Sequence, residues 1–149
     1  LTREPGGTKS SELIRNLILK DYFTKDSKEK FDKYTDTLLY LAARNEHIKN
    51  KIKPALLKKK VVICDRFIDS TLAYQVYGKK VELNFIKNIH KKILQGIKPN
   101  IVFVLKVTNQ SSRKRLKKRK NKNRYYNFAQ SFYNKAQHSF IRIAKNKKN

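Results

Sequence analysis

The chain has 149 residues, one cysteine and a formal net charge of +26, from 37 basic and 11 acidic side chains. That length suits one domain with a real core; the lone Cys64 excludes an internal disulfide and a cysteine-based zinc cluster and fits a reducing cytoplasm, and no apolar run approaches the ~18–20 residues that cross a bilayer. The charge predicts affinity for polyanions such as nucleic acid or nucleotide phosphates and says nothing about fold; much of it is Lys scattered among Asn and Ile, as an A/T-rich coding bias also produces.

The chain opens at Leu1, without Met, directly into the loop Thr2-Arg3-Glu4-Pro5-Gly6-Gly7-Thr8. Such an opening is expected of a piece of a longer protein. Pro5 fixes one φ and pushes Glu4 to an extended conformation, while Gly6 and Gly7 permit positive φ or close approach to a ligand. Thr8 or Ser10 can cap a helix over 10–20 with Leu13, Ile14, Leu17 and Ile18 on one face. Arg15 on that helix can reach back to Arg3 and Glu4. The three form either a ligand constellation or a surface turn with a stray ion pair.

Residues 21–30 read as a polar loop. A long helix fits 31–52, with Phe31, Tyr34, Leu38, Leu41 and Ala42 inward, and Pro54 starts a new turn through Leu57. Tyr40 and Arg44 lie four apart on one face. An aromatic ring stacks on a base and a guanidinium donates to a base carbonyl; a core tyrosine beside a solvated arginine is the alternative.

Val61-Val62-Ile63-Cys64-Asp65-Arg66 reads as a buried parallel strand, 61–65, running into a charged pair. Ligands of open α/β sheets bind at such strand ends. Asp65 can orient a hydrated metal and Arg66 can grip a phosphate. Ser70, Thr71, Tyr74 and Gln75 follow on a helix over 69–77 and can read a small polar ligand. A plain strand end followed by a capped surface helix remains open.

After a turn at Gly78, Leu83, Phe85, Ile86, Ile89, Ile93 and Leu94 mark a further helix that stops near Gly96 and Pro99. Residues 101–107 form a second strand, too continuously apolar for a sheet with one wet face. Residues 110–122 predict a basic helix or loop. From Arg113 to Arg124 nine of twelve residues are basic, which suits a solvated face, a nucleic-acid patch, or a lid closing arginines over a transferring phosphoryl group. A last amphipathic helix is expected over 125–145, using Phe128, Phe132, Ala136, Phe140, Ile143 and Ala144. His47, His90 and His138 show no metal-ligand spacing and read as surface residues. Strands separated by helices imply βαβ crossovers, yet two strands are too few for a stable sheet.

Several of these segments together resemble bacterial thymidylate kinases: Thr2–Thr8, then Glu12-Leu13-Ile14-Arg15, Leu39-Tyr40-Leu41-Ala42-Ala43-Arg44, residues 65–75, and Lys98-Pro99-Asn100-Ile101. The resemblance runs over nearly all of 1–149, read as a single, partial domain. It implies an α/β fold of the P-loop NTPase, nucleoside monophosphate kinase type, a parallel sheet flanked by helices. It implies transfer of the γ-phosphoryl of ATP to dTMP, with Mg2+, giving dTDP. By that likeness Tyr40 stacks on thymine, Arg44 contacts a thymine carbonyl, and Gln75 with Ser70 or Thr71 bonds the base edge. Tyr74 lies against the sugar. Arg15 and Arg66 hold the dTMP phosphate. Glu4 and Asp65 serve the sugar, magnesium or bridging waters, and Arg115, Arg119 and Arg124 fall within the lid, 110–124. A homodimer, a cytoplasmic setting and only nonspecific contact with nucleic acid are implied with it. Three features depart from the family pattern: Val76 replaces a glycine, Asn123 and Tyr126 replace acidic lid residues, and the Gly-x-x-x-x-Gly-Lys-Ser/Thr phosphate loop is absent from these 149 residues. A piece lacking that loop, and the final strand and helix, is expected to be nearly inactive alone. The competing reading is a basic nucleic-acid-binding module built on 113–124 and the neighbouring Tyr125, Tyr126 and Phe128.

Overall fold

The structure, a computed structural model, describes residues 1–20, 29–118 and 130–146. Strand β1 (Thr2–Arg3) pairs in parallel with β2 (Cys64–Asp65), in the register Thr2 with Cys64 and Arg3 with Asp65. Flanking bonds extend the pairing: the Thr2 N–H donates to the Ile63 carbonyl at 2.8 Å and the Glu4 N–H to the Asp65 carbonyl at 2.9 Å. The opening loop and the Asp-Arg strand end therefore meet side by side, although more than sixty residues separate them in the chain.

The crossover between the strands carries α1 (Lys9–Leu19), α2 (Lys33–His47), a π-helical turn (Ile48–Ile52) and α3 (Lys53–Leu57). Of the two candidates for capping α1, Thr8 is the one used: its hydroxyl accepts the Ser11 N–H at 3.2 Å, satisfying a donor that the first helical turn leaves open. The single helix expected over 31–52 begins instead at the Asp32 cap and passes into the π turn after His47. Its inward face also differs from the expected one. Leu41 is buried as foreseen, but Leu38 and Ala42 face outward, and the buried face is Asp36, Thr37, Ala43, Arg44 and His47. These polar groups can lie inward because each bonds to a partner within the fold.

After β2, α4 (Ile68–Thr71) continues into a second π-helical segment (Leu72–Gly78). Helix α5 (Leu83–Leu94) ends where expected, on Gln95 and Gly96 with φ of 48° and 81°, a left-handed turn that glycine tolerates best. Leu41, Val81 and Ile86 form a core cluster, with Tyr34, Leu72, Val76, Phe85, Ile89 and Ile93 packed around it. Helices α6 (Asn109–Lys117) and α7 (Gln130–Asn146) follow. Ala136 and Ile143 are buried, and Phe132 and Phe140 of α7 lie 5.8 and 5.9 Å from the Tyr74 ring.

The two long apolar strands are not formed as expected. Among the described residues the sheet has only its two short strands. Val61 and Ile63 are 88% and 63% exposed, and Ile101, Phe103 and Leu105 are 73%, 84% and 88% exposed. Both segments run along a cleft of about 1010 Å³. A strand apolar on both faces stays buried only when both faces are covered, and no described element covers these.

Candidate functional site

The β1–β2 pairing delivers Glu4 beneath α2, and a polar network closes around it. Arg44 Nε donates to Glu4 Oε2 at 2.8 Å, and Nη2 forms an ion pair with the same oxygen at 2.7 Å. His47 Nδ1 lies 3.3 Å from Glu4 Oε1, and its Nε2 lies 2.7 Å from the Thr2 hydroxyl. The other guanidinium nitrogen of Arg44, Nη1, donates to Thr71 Oγ1 and to His90 Nε2, both at 2.8 Å. The Phe67 ring lies 5.2 Å below the guanidinium. Arg44 is 3% exposed and Glu4 6%, so each charge relies on the other.

His47 and His90, expected at the surface, are thus buried parts of this network; only His138 is exposed. The signal was present in the spacing. Thr37, Leu41 and Arg44 form one inward stripe of α2, continued by Ile48 of the π turn with His47 beside it, and His90 continues the Ile86 stripe of α5. Burial first, and then the charge of Arg44, push the His90 pKa down to about 4.

A second cluster lies at the mouth of the loop. Arg15 donates from Nη1 to the Pro5 carbonyl at 2.6 Å. Its pKa is lowered, by burial first and then by the like charge of Arg3, with Arg66 adding to the effect and Glu12 and Tyr40 opposing it. Arg3, Arg15 and Arg66 therefore share one neighbourhood with the half-buried Tyr40. Burial works against the charge on Arg66, but Tyr74, Asp65 and Tyr40 outweigh it and raise its pKa. The Arg66 guanidinium lies 5.3 Å from the Tyr74 ring centre. Arg66 itself has φ of 67°, an uncommon conformation for a residue other than glycine and one that recurs where a site imposes it.

Glu12, which sequence reasoning left without a role, ties this loop down. Its Oε1 accepts the Gly7 N–H at 2.9 Å and Arg3 Nη2 at 3.2 Å, and its Oε2 lies 3.8 Å from Arg15 Nε. A Cβ on Gly7, where φ is 93°, would stand 2.7 Å from His47 Nε2. The glycine is what lets the loop close onto the network.

Gln75 completes the set. It lies one turn beyond Thr71 in the π-helical segment, is 2% exposed, and its side-chain Nε2 has no hydrogen-bond partner among the described residues. A buried amide donor left unpaired costs about 1–3 kcal/mol, and π-helical turns recur at functional sites. Ser70 is half-buried and borders the apolar cleft, and Asp65 is exposed at the strand end. Arg115 is exposed on α6, whereas Arg119 and Arg124 lie outside the described residues. The structure thus joins Glu4, Arg44 and Thr71 in one network and Arg15, Tyr40, Arg66 and Tyr74 in a second. It does not bring Arg115 to either. Among the described residues no three His, Cys, Asp or Glu side chains could together hold a metal ion, and no helix is long and apolar enough to cross a membrane.

A family model described as thymidylate kinase matches residues 1–149. The thymidylate kinase of Wolbachia sp. subsp. Brugia malayi is 45% identical over 147 residues, which is 98% of this chain and 65% of that protein. That of Wolbachia pipientis subsp. Culex pipiens is 45% identical over 145 residues, covering 97% of this chain and 64% of that protein. The crystal structure of thymidylate kinase from Ehrlichia chaffeensis superposes with a TM-score of 0.70 at 34% identity, over 97% of this chain and 62% of that one. The chain therefore spans somewhat less than two thirds of the length of these relatives.

Proposed function

This chain belongs to the thymidylate kinase family and has its P-loop NTPase fold, and from that premise we propose that it carries the dTMP-recognising part of an ATP-dependent dTMP kinase. The observation that supports this most is Gln75. Its buried Nε2, unpaired among the described residues, needs an acceptor, and a base carbonyl would supply one. Three Arg44 N–H groups, on Nε and Nη1, are hydrogen-bonded within the protein and Nη2 is ion-paired with Glu4, which leaves the Nη2 end to donate to a base. Thr71 accepts from Arg44 and keeps its own O–H to donate, so it and the half-buried Ser70 are both available to the base edge. Tyr40 offers the stacking face and Tyr74 the wall beside the sugar. Arg15 and Arg66, with Arg3 near them, receive the phosphate, where several guanidiniums are worth more than one.

In the reaction proposed for the whole enzyme, an oxygen of the dTMP phosphate attacks the γ-phosphorus of ATP. The new P–O bond forms as the bond to the β,γ-bridging oxygen breaks, and ADP departs with that electron pair. Positioning and charge neutralisation are most of the catalysis in such a transfer. Magnesium bound with ATP would neutralise charge on the transferring group. Asp65 suits a water-mediated hold on it, since Mg2+ keeps several waters. Glu4 does not, because both its oxygens are engaged by Arg44 and His47; it serves the site through Arg44. Arg115, Arg119 and Arg124 are proposed as lid arginines. The reading places the protein with its nucleotides in the cytoplasm. It also carries a homodimer, supported by Leu13 and Leu17, one turn apart on α1 and 70% and 43% exposed.

Titration calorimetry tests the reading. dTMP is expected to bind and dCMP to bind at least tenfold more weakly, with slow or undetectable phosphoryl transfer by these 149 residues. Equal affinity for the two nucleotides would overturn it. So would binding only to single-stranded DNA with a steep salt dependence, the behaviour of a basic nucleic-acid module.

A further inference from the structure

We propose that His90 is a specificity-determining positioning residue: by accepting a hydrogen bond from Arg44, it fixes the Nη2 end of the guanidinium, which is left to read the base. The inference rests on the dTMP-binding reading above and concerns a residue outside the contacts assigned there.

Two edges of the Arg44 guanidinium are held from different elements. Glu4 of the β1 end takes Nε and Nη2, at 2.8 and 2.7 Å, on one carboxylate oxygen. Thr71 of α4 and His90 of α5 take Nη1, each at 2.8 Å. Arginine has no acceptor, so His90 Nε2 must be unprotonated and its proton must sit on Nδ1. That tautomer is the one the site requires. The imidazole is 7% exposed, and burial together with the neighbouring Arg44 charge keeps it neutral at pH 7 against the attraction of Glu4. The groups that face it are therefore Arg44 from α2, Glu4 from β1 and the neutral Thr71 from α4.

Without the His90 acceptor, Nη1 keeps Thr71 alone and the guanidinium can pivot about its Glu4 edge. The Nη2 end then swings with it. A carbonyl at the base edge and the amino group that replaces it in cytosine are told apart by the placement of that donor. A pivoting donor tells them apart poorly. Discrimination built on hydrogen bonds depends on such fixed placement far more than overall affinity does. The placement of α5 has its own cause: Ile86, Ile89 and Ile93 anchor it in the core cluster beside Leu41 of α2, which sets His90 against Arg44.

The test measures dTMP and dCMP affinities by calorimetry for the wild type, His90→Gln and His90→Leu, alongside thermal melting of each. His90→Gln offers a side-chain carbonyl to Arg44 and is expected to keep most of the discrimination. His90→Leu is expected to lose tenfold or more of the dTMP-over-dCMP ratio, while its dTMP affinity falls by less than that. A merely structural role would lower the melting temperature and leave the ratio unchanged. A folded His90→Leu protein with the wild-type ratio, or a His90→Gln protein no better than His90→Leu, would overturn the proposal. If His90→Leu does not fold, nitrogen NMR of the wild type decides: Nε2 must be the unprotonated nitrogen, and a protonated Nε2 at pH 7 overturns it. Wild-type protein that binds neither nucleotide would sink the dTMP reading itself, an outcome separate from these.

Discussion

The polar network around Arg44 and the apolar segments 61–63 and 101–107 are opposites. The network buries two full charges and two histidines, yet nearly every donor and acceptor in it is met inside the chain. The apolar segments need no partners for hydrogen-bonding side chains, yet Phe103 and Leu105 stand 84% and 88% exposed. Burial here follows satisfied neighbours rather than hydrophobicity. α1, α2 and α5 enclose the site residues, whereas the strand faces lie open along the cleft.

The largest effect is expected from breaking the network at its centre. Arg44→Leu leaves Glu4 buried with only His47 beside it, and should cost about 3–5 kcal/mol in urea unfolding and abolish dTMP binding. A loss below ~1 kcal/mol would mean that the pair is not buried in solution. Acid should weaken the network next. The folded pKa of His90, about 4, lies below its ordinary 6.5, so the unfolded chain takes up the proton first. His90's contribution is complete above pH 6.5 and is lost as pH falls from there to about 4. Melting curves at pH 7 and pH 5 should show a larger drop for the wild type than for His90→Gln; equal drops would place the acid sensitivity elsewhere.

Gln75→Leu separates recognition from stability. Removing a buried amide whose donor is unpaired among the described residues should leave stability unchanged or raise it by up to about 1–3 kcal/mol, but dTMP affinity should fall about tenfold. Strong destabilisation with unaltered binding would show that Gln75 is a packing residue. The smallest effect belongs to the open face. Phe103→Ser should alter stability by less than ~0.5 kcal/mol and improve solubility, because an exposed apolar patch invites association. A loss of several kcal/mol would show that the segment is covered in solution.

Much of this was legible in the residues. The Thr8 cap and the course of α5 follow from cap chemistry and apolar spacing, whereas the meeting of residues 2–8 with 65–66 and the grouping of Arg15, Tyr40 and Arg66 were implied only by the family resemblance. The histidines were not, because an imidazole between apolar positions looks the same in sequence whether it faces solvent or a buried guanidinium. His90 is recognised only once Arg44 is seen beside it. Glu12 escaped for a related reason: its partners are a backbone N–H and two arginines brought near by the loop fold. The apolar runs 61–65 and 101–107 overstated the sheet, since periodicity reports what a strand would bury and not whether anything is there to cover it.

Gln75 Nε2, buried and unpaired among the described residues, is proposed to be a base-reading donor. Proton–nitrogen NMR of its side-chain NH2, assigned with Gln75→Asn, tests this most directly. Addition of dTMP should move that resonance downfield and slow its exchange, while equimolar dCMP should leave it nearly unchanged. A Gln75 signal that is indifferent to dTMP at saturation, or that responds equally to dCMP, would contradict the account.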